Sequence, residues 1–212
     1  LNQYVYWMGI CDGAYDCVLA LLSKDVVEYH ELVHNLLFEW KHLIVSQVLG
    51  TMVDTKQFTK RFFVTSSVPS SMVINSGEYV TFGGHVESFF IDNLDRSLLR
   101  ILTHNARMPL LQLAHSLHST VEIVRRRMHI LEQRGIILQY RVALDLNKLG
   151  FEFFKAIIYC KSLSRSDEAS LLEWMRQQSK SLYYIRTLGI WELEFEFAVE
   201  NYVEFNSIMR DL

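Results

Sequence analysis

The sequence predicts an α+β chain: a winged helix-turn-helix flanked by two incomplete copies of one ferredoxin-like βαββαβ unit. Three observations predict it. Residues 191–197 alternate strictly, with Trp191, Leu193, Phe195 and Phe197 set against Glu192, Glu194 and Glu196, the period of a strand with two unlike faces. Gly13-Ala14-Tyr15-Asp16-Cys17-Val18-Leu19 matches Gly189-Ile190-Trp191-Glu192-Leu193-Glu194-Phe195 type by type, and the same offset of 176 pairs Val27-Glu28-Tyr29 with Val203-Glu204-Phe205, as a repeat does. Between these ends lie three helical stripes with arginines on the outer face of the third.

The elements follow in order. Residues 1–9 and 15–22 are expected as strands, 25–40 as a helix and 42–53 as the fourth strand of the first copy. That makes residues 1–63 the second half of one sensing-type domain. Residues 64–91, with their Ser-rich run and Gly83-Gly84, read as a linker holding a short strand near 79–82. Residues 92–144 form the helix-turn-helix. Leu94, Leu98, Ile101 and Leu102 mark a first helix capped by Asp92 or Asn93. A second, short helix at 109–117 carries Pro109 in its first turn. His118-Ser119-Thr120 is the turn, and a third helix runs from Val121 to Gly135, a C-terminal glycine stop. Val121, Val124, Met128 and Leu131 face inward; Glu122, Arg125, Arg126 and His129 face outward, with Arg127 at the flank. Residues 136–142 are expected as a strand of the wing. Residues 145–212 then give strand (151–161), helix (167–178, capped by Ser164 or Ser166), strand (182–187), strand (191–197) and helix (201–212), a βαββαβ unit without its last strand. The repeat places absent segments before Leu1 and after Leu212, so a longer natural chain is expected.

Composition sets the bounds. The chain has 212 residues, half of them apolar and 21% charged, which excludes bulk disorder. Nine Gly and two Pro exclude collagen-like and linker-like classes. Three cysteines, at 11, 17 and 160, are too few for a disulfide framework, so a reducing, cytoplasmic setting is expected. No apolar run is long enough to span a membrane. The net charge of −3 conceals an asymmetry. Residues 92–150 hold nine Arg/Lys against five Asp/Glu, a charge of +4, leaving −7 on the rest. A basic island of this kind is the electrostatic footprint of nucleic-acid binding.

Leu94-Asp95-Arg96, Leu99, Ile101-Leu102, Leu113-Ala114, Val124, Arg126-Arg127-Met128, Leu131-Glu132 and Gly135-Ile136-Ile137 stand at spacings that resemble the Lrp/AsnC (feast/famine) transcription regulators. The flanking units are similar to that family's RAM-type sensing domain, whose Gly-x-Tyr-Asp turn is intact at Gly13-Ala14-Tyr15-Asp16 and altered at Gly189-Ile190-Trp191-Glu192. The resemblance implies a sequence-specific regulator of the tandem-repeat type that binds double-stranded DNA, responds to a small-molecule effector such as an amino acid, assembles as a homodimer or higher homo-oligomer, and is no enzyme. No cofactor and no metal are implied. Arg107, Ser119, Thr120, Arg125, Arg126 and Arg127 would contact DNA, since an arginine fork suits guanine edges and phosphates. Gly13, Tyr15, Asp16, Gly189, Trp191 and Glu192 would lie near the effector. The chain departs from the family at His118, Glu122, His129 and Ile130, and these departures motivate the alternative of a ligand-sensing, oligomerising module that has lost DNA binding.

Three further motifs have plainer readings. Ser119-x-x-Glu122 is a capping box. His30-Glu31-Leu32-Val33-His34 matches the zinc-peptidase string H-E-x-x-H, but the third ligand that catalytic zinc requires is missing from the extended motif, so the helix is read as a sheet-packing element. Glu192, Glu194 and Glu196 share a strand face that is read as solvated rather than as a cation site.

Overall fold

The computed structural model describes residues 4–60, 62, 79–85 and 87–212. Residues 64–78 of the expected linker lie outside the described residues. The chain divides into two units, Leu1–Leu49 and Gly50–Leu212.

In the first unit, β1 (Val5–Ile10) and β2 (Cys17–Leu21) form an antiparallel hairpin, followed by α1 (Val26–Trp40). Asp25 caps α1, its carboxylate accepting from the Glu28 N–H at 2.9 Å. The Glu28 side chain in turn accepts from the Lys24 N–H at 2.7 Å. His30 and His34 stack on one face of α1 with ring centroids 6.2 Å apart. Among the described residues no set of three His, Cys, Asp or Glu is placed to hold a metal.

The second unit contains a five-stranded antiparallel sheet in the order β4-β3-β6-β7-β5, built from β3 (Gly50–Phe58), β4 (Tyr79–Gly83), β5 (Glu152–Ile158), β6 (Ser181–Gly189) and β7 (Leu193–Val199). The β5-α5-β6-β7-α6 order, with α5 (Arg165–Gln177) and α6 (Tyr202–Arg210), is the expected run of the βαββαβ pattern. Leu193, Phe195, Phe197 and Val199 point to one face of the interior strand β7, where α5 supplies Leu171, Leu172 and Met175 and α6 supplies Phe205, Ile208 and Met209. Ser164 caps α5 through a capping box with Asp167.

The two β-hairpins share one register. In the first, Val5 faces Leu21, a bulge follows, and Trp7 faces Ala20, Met8 faces Leu19, Gly9 faces Val18 and Ile10 faces Cys17. In the second, Ser181 faces Phe197, a bulge follows, and Tyr183 faces Glu196, Tyr184 faces Phe195, Ile185 faces Glu194 and Arg186 faces Leu193. Every pair differs by 176, the bulge included. The caps agree too: Asn201 accepts from the Glu204 N–H at 3.0 Å, and Glu204 accepts from the Glu200 N–H at 2.7 Å.

Three expectations are corrected. The strand expected at 42–53 forms at Gly50–Phe58 and hydrogen-bonds to β6 of the second unit. Its side chains decide this: Asp54 is buried against Arg186 and Phe58 enters the α/β core. Residues 136–142 form no strand. The N–H groups of Ile136 and Ile137 are used by the Leu131 carbonyl, at 2.9 and 3.1 Å, in closing the third helix of the helix-turn-helix. Glu194 and Glu196 do not lie on a solvated face. Both are buried, because Lys155 faces Glu196 from β5 and bonds both carboxylates (2.8 Å to Glu196), while the Trp191 indole N–H donates to Glu194 at 2.9 Å. Burial alone would depress the Lys155 ammonium, but Glu196 and Glu194 hold it above its ordinary value.

Candidate nucleic-acid interface

The helix-turn-helix is α2 (Asn93–His104), α3 (Leu110–Ser116) and α4 (Val121–Gln133). Leu98, Leu102, Leu113, Ala114, Val124 and Leu131 are buried together, with Val121 and Met128 packed against them. These are the inward positions expected of the third helix. Asp92 caps α2 in a capping box with Asp95. Gly135 ends α4 at φ +66, a left-handed conformation for which glycine carries no Cβ penalty.

The turn is tight although it lacks the glycine usual in the resembled family. His118 adopts φ +49 itself, and the Ser119 N–H reaches back to the Ala114 carbonyl at 2.9 Å. The cap of α4 is Thr120, whose hydroxyl accepts from the Ile123 N–H at 3.3 Å. The expected Ser119–Glu122 box is therefore displaced by one residue, because the helix starts at Val121 and its third position is Ile123. Glu122 is free of that duty and lies exposed, 3.8 Å from Arg125.

Five of the six residues expected at DNA are each at least partly exposed. Arg107 is exposed in the α2–α3 loop, where its N–H donates to Asn105 Oδ1 at 3.1 Å. Ser119 is half-buried and Thr120 exposed at the start of α4, and Arg125 and Arg126 are exposed on its first two turns. Arg127 differs. Its guanidinium donates to Asp92 at 2.7 Å and to the buried Asp95 at 3.2 Å. It ties α4 to the start of α2. The Asp95 N–H bond, with Arg127 close by, holds the Asp92 carboxyl below the ordinary range. The partners of Arg127 were legible in principle, since Asp92 and Asp95 form the cap of α2, but the pairing spans 32 residues.

The two glycine turns expected at the effector are closed alike, by Cys11 N–H to Asp16 O and by Thr187 N–H to Glu192 O, each at 2.9 Å. Gly13, Ala14 and Asp16 are exposed and Tyr15 half-buried. In the second turn Trp191 is buried and Glu192 accepts from the Cys160 N–H at 2.7 Å. The Trp191 ring lies beneath Gly50, where an added Cβ would approach its Cζ2 to 2.9 Å. The Trp191 ring thus packs against the start of β3.

The AsnC-type helix-turn-helix domain matches residues 91–132. The uncharacterized HTH-type transcriptional regulator PH0061 of Pyrococcus horikoshii is 30% identical over 96 residues, which span 43% of this chain and 65% of that protein. The HTH-type transcriptional regulator LrpB of Bacillus subtilis is 25% identical over 122 residues, 58% of this chain and 80% of that one. The regulatory protein AsnC of Haemophilus influenzae is 26% identical over 121 residues, covering 56% and 79%. Among solved structures, Escherichia coli AsnC superposes with a TM-score of 0.50 at 26% identity, over 58% of this chain and 82% of that one. The crystal structure of PH0061 superposes with a TM-score of 0.52 at 21% identity, over 58% and 83%. Over the superposed part the fold is therefore that of AsnC, and this chain is a homologue of Lrp/AsnC-type regulators. Among the described residues no helix is long and apolar enough to cross a membrane.

Proposed function

We propose that this chain, which carries an AsnC-type helix-turn-helix domain, is a sequence-specific DNA-binding transcriptional regulator that responds to a small-molecule effector and works in the cytoplasm as a homodimer or higher homo-oligomer. The observation that carries the reading is the surface of α4. Thr120, Arg125 and Arg126 lie on its accessible side with Arg107 in the adjoining loop, over a packed three-helix core. A helix of 13 residues is about 20 Å long, enough to lie in a major groove and present its N-terminal residues to base edges. The relatives named as transcriptional regulators support it.

The identical hairpin registers at an offset of 176 support two copies of one sensing unit, about residues 1–63 and 145–212, around a linker at 64–91 and a DNA-binding unit at 92–144. Effector binding is assigned to the first turn, at Gly13, Tyr15 and Asp16. Gly189, Trp191 and Glu192 form the matching turn of the second copy, where Trp191 and Glu192 serve the sheet instead.

Gel-shift titration across a salt series tests the reading. Replacing Arg126 by Ala should reduce the slope of log K against log salt by about one unit. An unchanged slope, or no binding of the parent chain at low salt, would favour the sensing module without DNA binding.

A further inference from the structure

A second cationic feature stands apart from α4. Lys60, just beyond β3, and Arg141, in the irregular segment after α4, line one cleft of about 280 Å³, near the lower end of small-ligand sites. Neither forms a salt bridge with a carboxylate among the described residues. Burial, and then the charge of Arg141, depress the Lys60 ammonium below its ordinary value. Two cations held together with no acid between them repel, and the arrangement is relieved by an anion.

The walls restrict what that anion is. Gln139 donates to Gln57 Oε1 at 3.2 Å and Gln57 donates to the Tyr183 hydroxyl, so Gln57 is held in place by its neighbours. The rest of the lining includes Val80, Val142 and Leu144, with Val142 58% exposed. An apolar wall beside two cations fits a carbon chain beside a charged head group.

We propose that this cleft binds a small aliphatic anion, its head group between Lys60 and Arg141 and its chain against Val80, Val142 and Leu144. A carboxylate and a phosphate share the required chemistry. The site joins the end of β3 to the segment leaving α4, so occupancy ties the sheet to the strand-free connection from the helix-turn-helix. Anion binding itself does not depend on the DNA-binding reading.

Calorimetric titration and thermal denaturation of the 212-residue chain, without DNA and in low-chloride buffer, test it. Isovalerate and isobutyl phosphate are the probes, with inorganic phosphate as the head group alone. Saturable binding of at least one aliphatic probe, tighter than inorganic phosphate, is expected, and the better of the two identifies the head group. Lys60→Gln and Arg141→Gln should each weaken it roughly tenfold or more, as loss of a charged hydrogen-bond partner does, while Lys60→Arg retains it. Neither Gln variant should melt below the parent without probe, because each removes a repulsion. The proposal is overturned by no saturable binding of either aliphatic probe, by equal binding to the double Gln variant, or by inorganic phosphate binding as tightly as the aliphatic probes. Gln variants that lower the salt slope of DNA binding while leaving probe affinity unchanged would assign the pair to DNA phosphates and overturn it as well.

Discussion

Three adjacent arginines on one helix have two different surroundings. Arg125 and Arg126 face solvent, while Arg127, one position on, turns toward the start of α2 and is shared by Asp92 and Asp95. Asp95 is 4% exposed, and a carboxylate so buried is costly without its cation. Replacing Arg127 by Ala should therefore lower stability by about 1–3 kcal/mol, read from the urea midpoint. The salt slope of DNA binding, measured where the variant is still folded, should remain that of the parent. A lowered slope with unchanged stability would return Arg127 to the DNA surface. His118 also departs from what sequence spacing suggests. Its φ of +49 shows that the backbone keeps the tight turn without glycine, at the conformational cost a Cβ carries in the left-handed region.

At the level of elements, β3 departs most from expectation. Hydrophobic period locates a strand but does not name its partner, and the Arg186–Asp54 contact that fixes β3 against β6 joins residues 132 apart. Arg186 Nε and Nη2 donate to the two Asp54 oxygens at 2.9 and 2.5 Å, and Nη1 donates to Glu168 at 3.3 Å. At the start of β3, Gly50 lies over the Trp191 ring, where a Cβ would meet its Cζ2. Replacing Gly50 by Ala should cost about 1–3 kcal/mol through overpacking, and combining it with Trp191→Leu should restore part of that loss. Additive losses in the double variant would mean that the two positions do not touch. The elements whose logic is local were legible: the inward stripe of α4, a serine cap at 164 or 166 that falls on Ser164, and an alternating strand expected at 191–197 that forms at 193–199 all follow from spacing within one turn or one pleat. Elements defined by distant partners were not. The alternation of β7 gave its two faces, but Lys155 and Trp191, which cover Glu194 and Glu196, come from outside the strand. The wing strand failed for a related reason, since Ile136 and Ile137 spend their N–H groups on Leu131. The exposure of Arg125 and Arg126 was legible because exposure on an amphipathic helix is itself periodic. The Lys60–Arg141 cleft, assembled from positions 81 apart in sequence, left no such trace.

For the whole molecule, a few hydrogen-bonded carboxylates set the response to acid. Three aspartates in separate places have depressed carboxyl groups: Asp54 through the Arg186 hydrogen bond, Asp92 through the Asp95 N–H, and Asp167 through the Ser164 hydroxyl. A carboxyl whose folded value is depressed contributes stability that is fully present above its unfolded value, about 3.9 for Asp, and is lost as pH falls through the folded value. Glu196 runs the other way. Burial raises it, so its contribution is complete below its unfolded value and declines as pH rises through the folded one. The aspartates outnumber it and are spread over the helix-turn-helix, α5 and β3. Stability measured by urea unfolding should therefore hold from neutral pH down to about 5 and fall steeply below about 4. Asp54→Asn should lower stability at pH 7, because Arg186 loses the partner that holds it over the sheet. The same substitution should flatten the acid limb, because one titrating group has gone. If the variant loses stability at pH 7 yet keeps the parent's acid slope, the buried Asp54–Arg186 pair is not what the acid dissolves, and the loss belongs to the caps at Asp92 and Asp167.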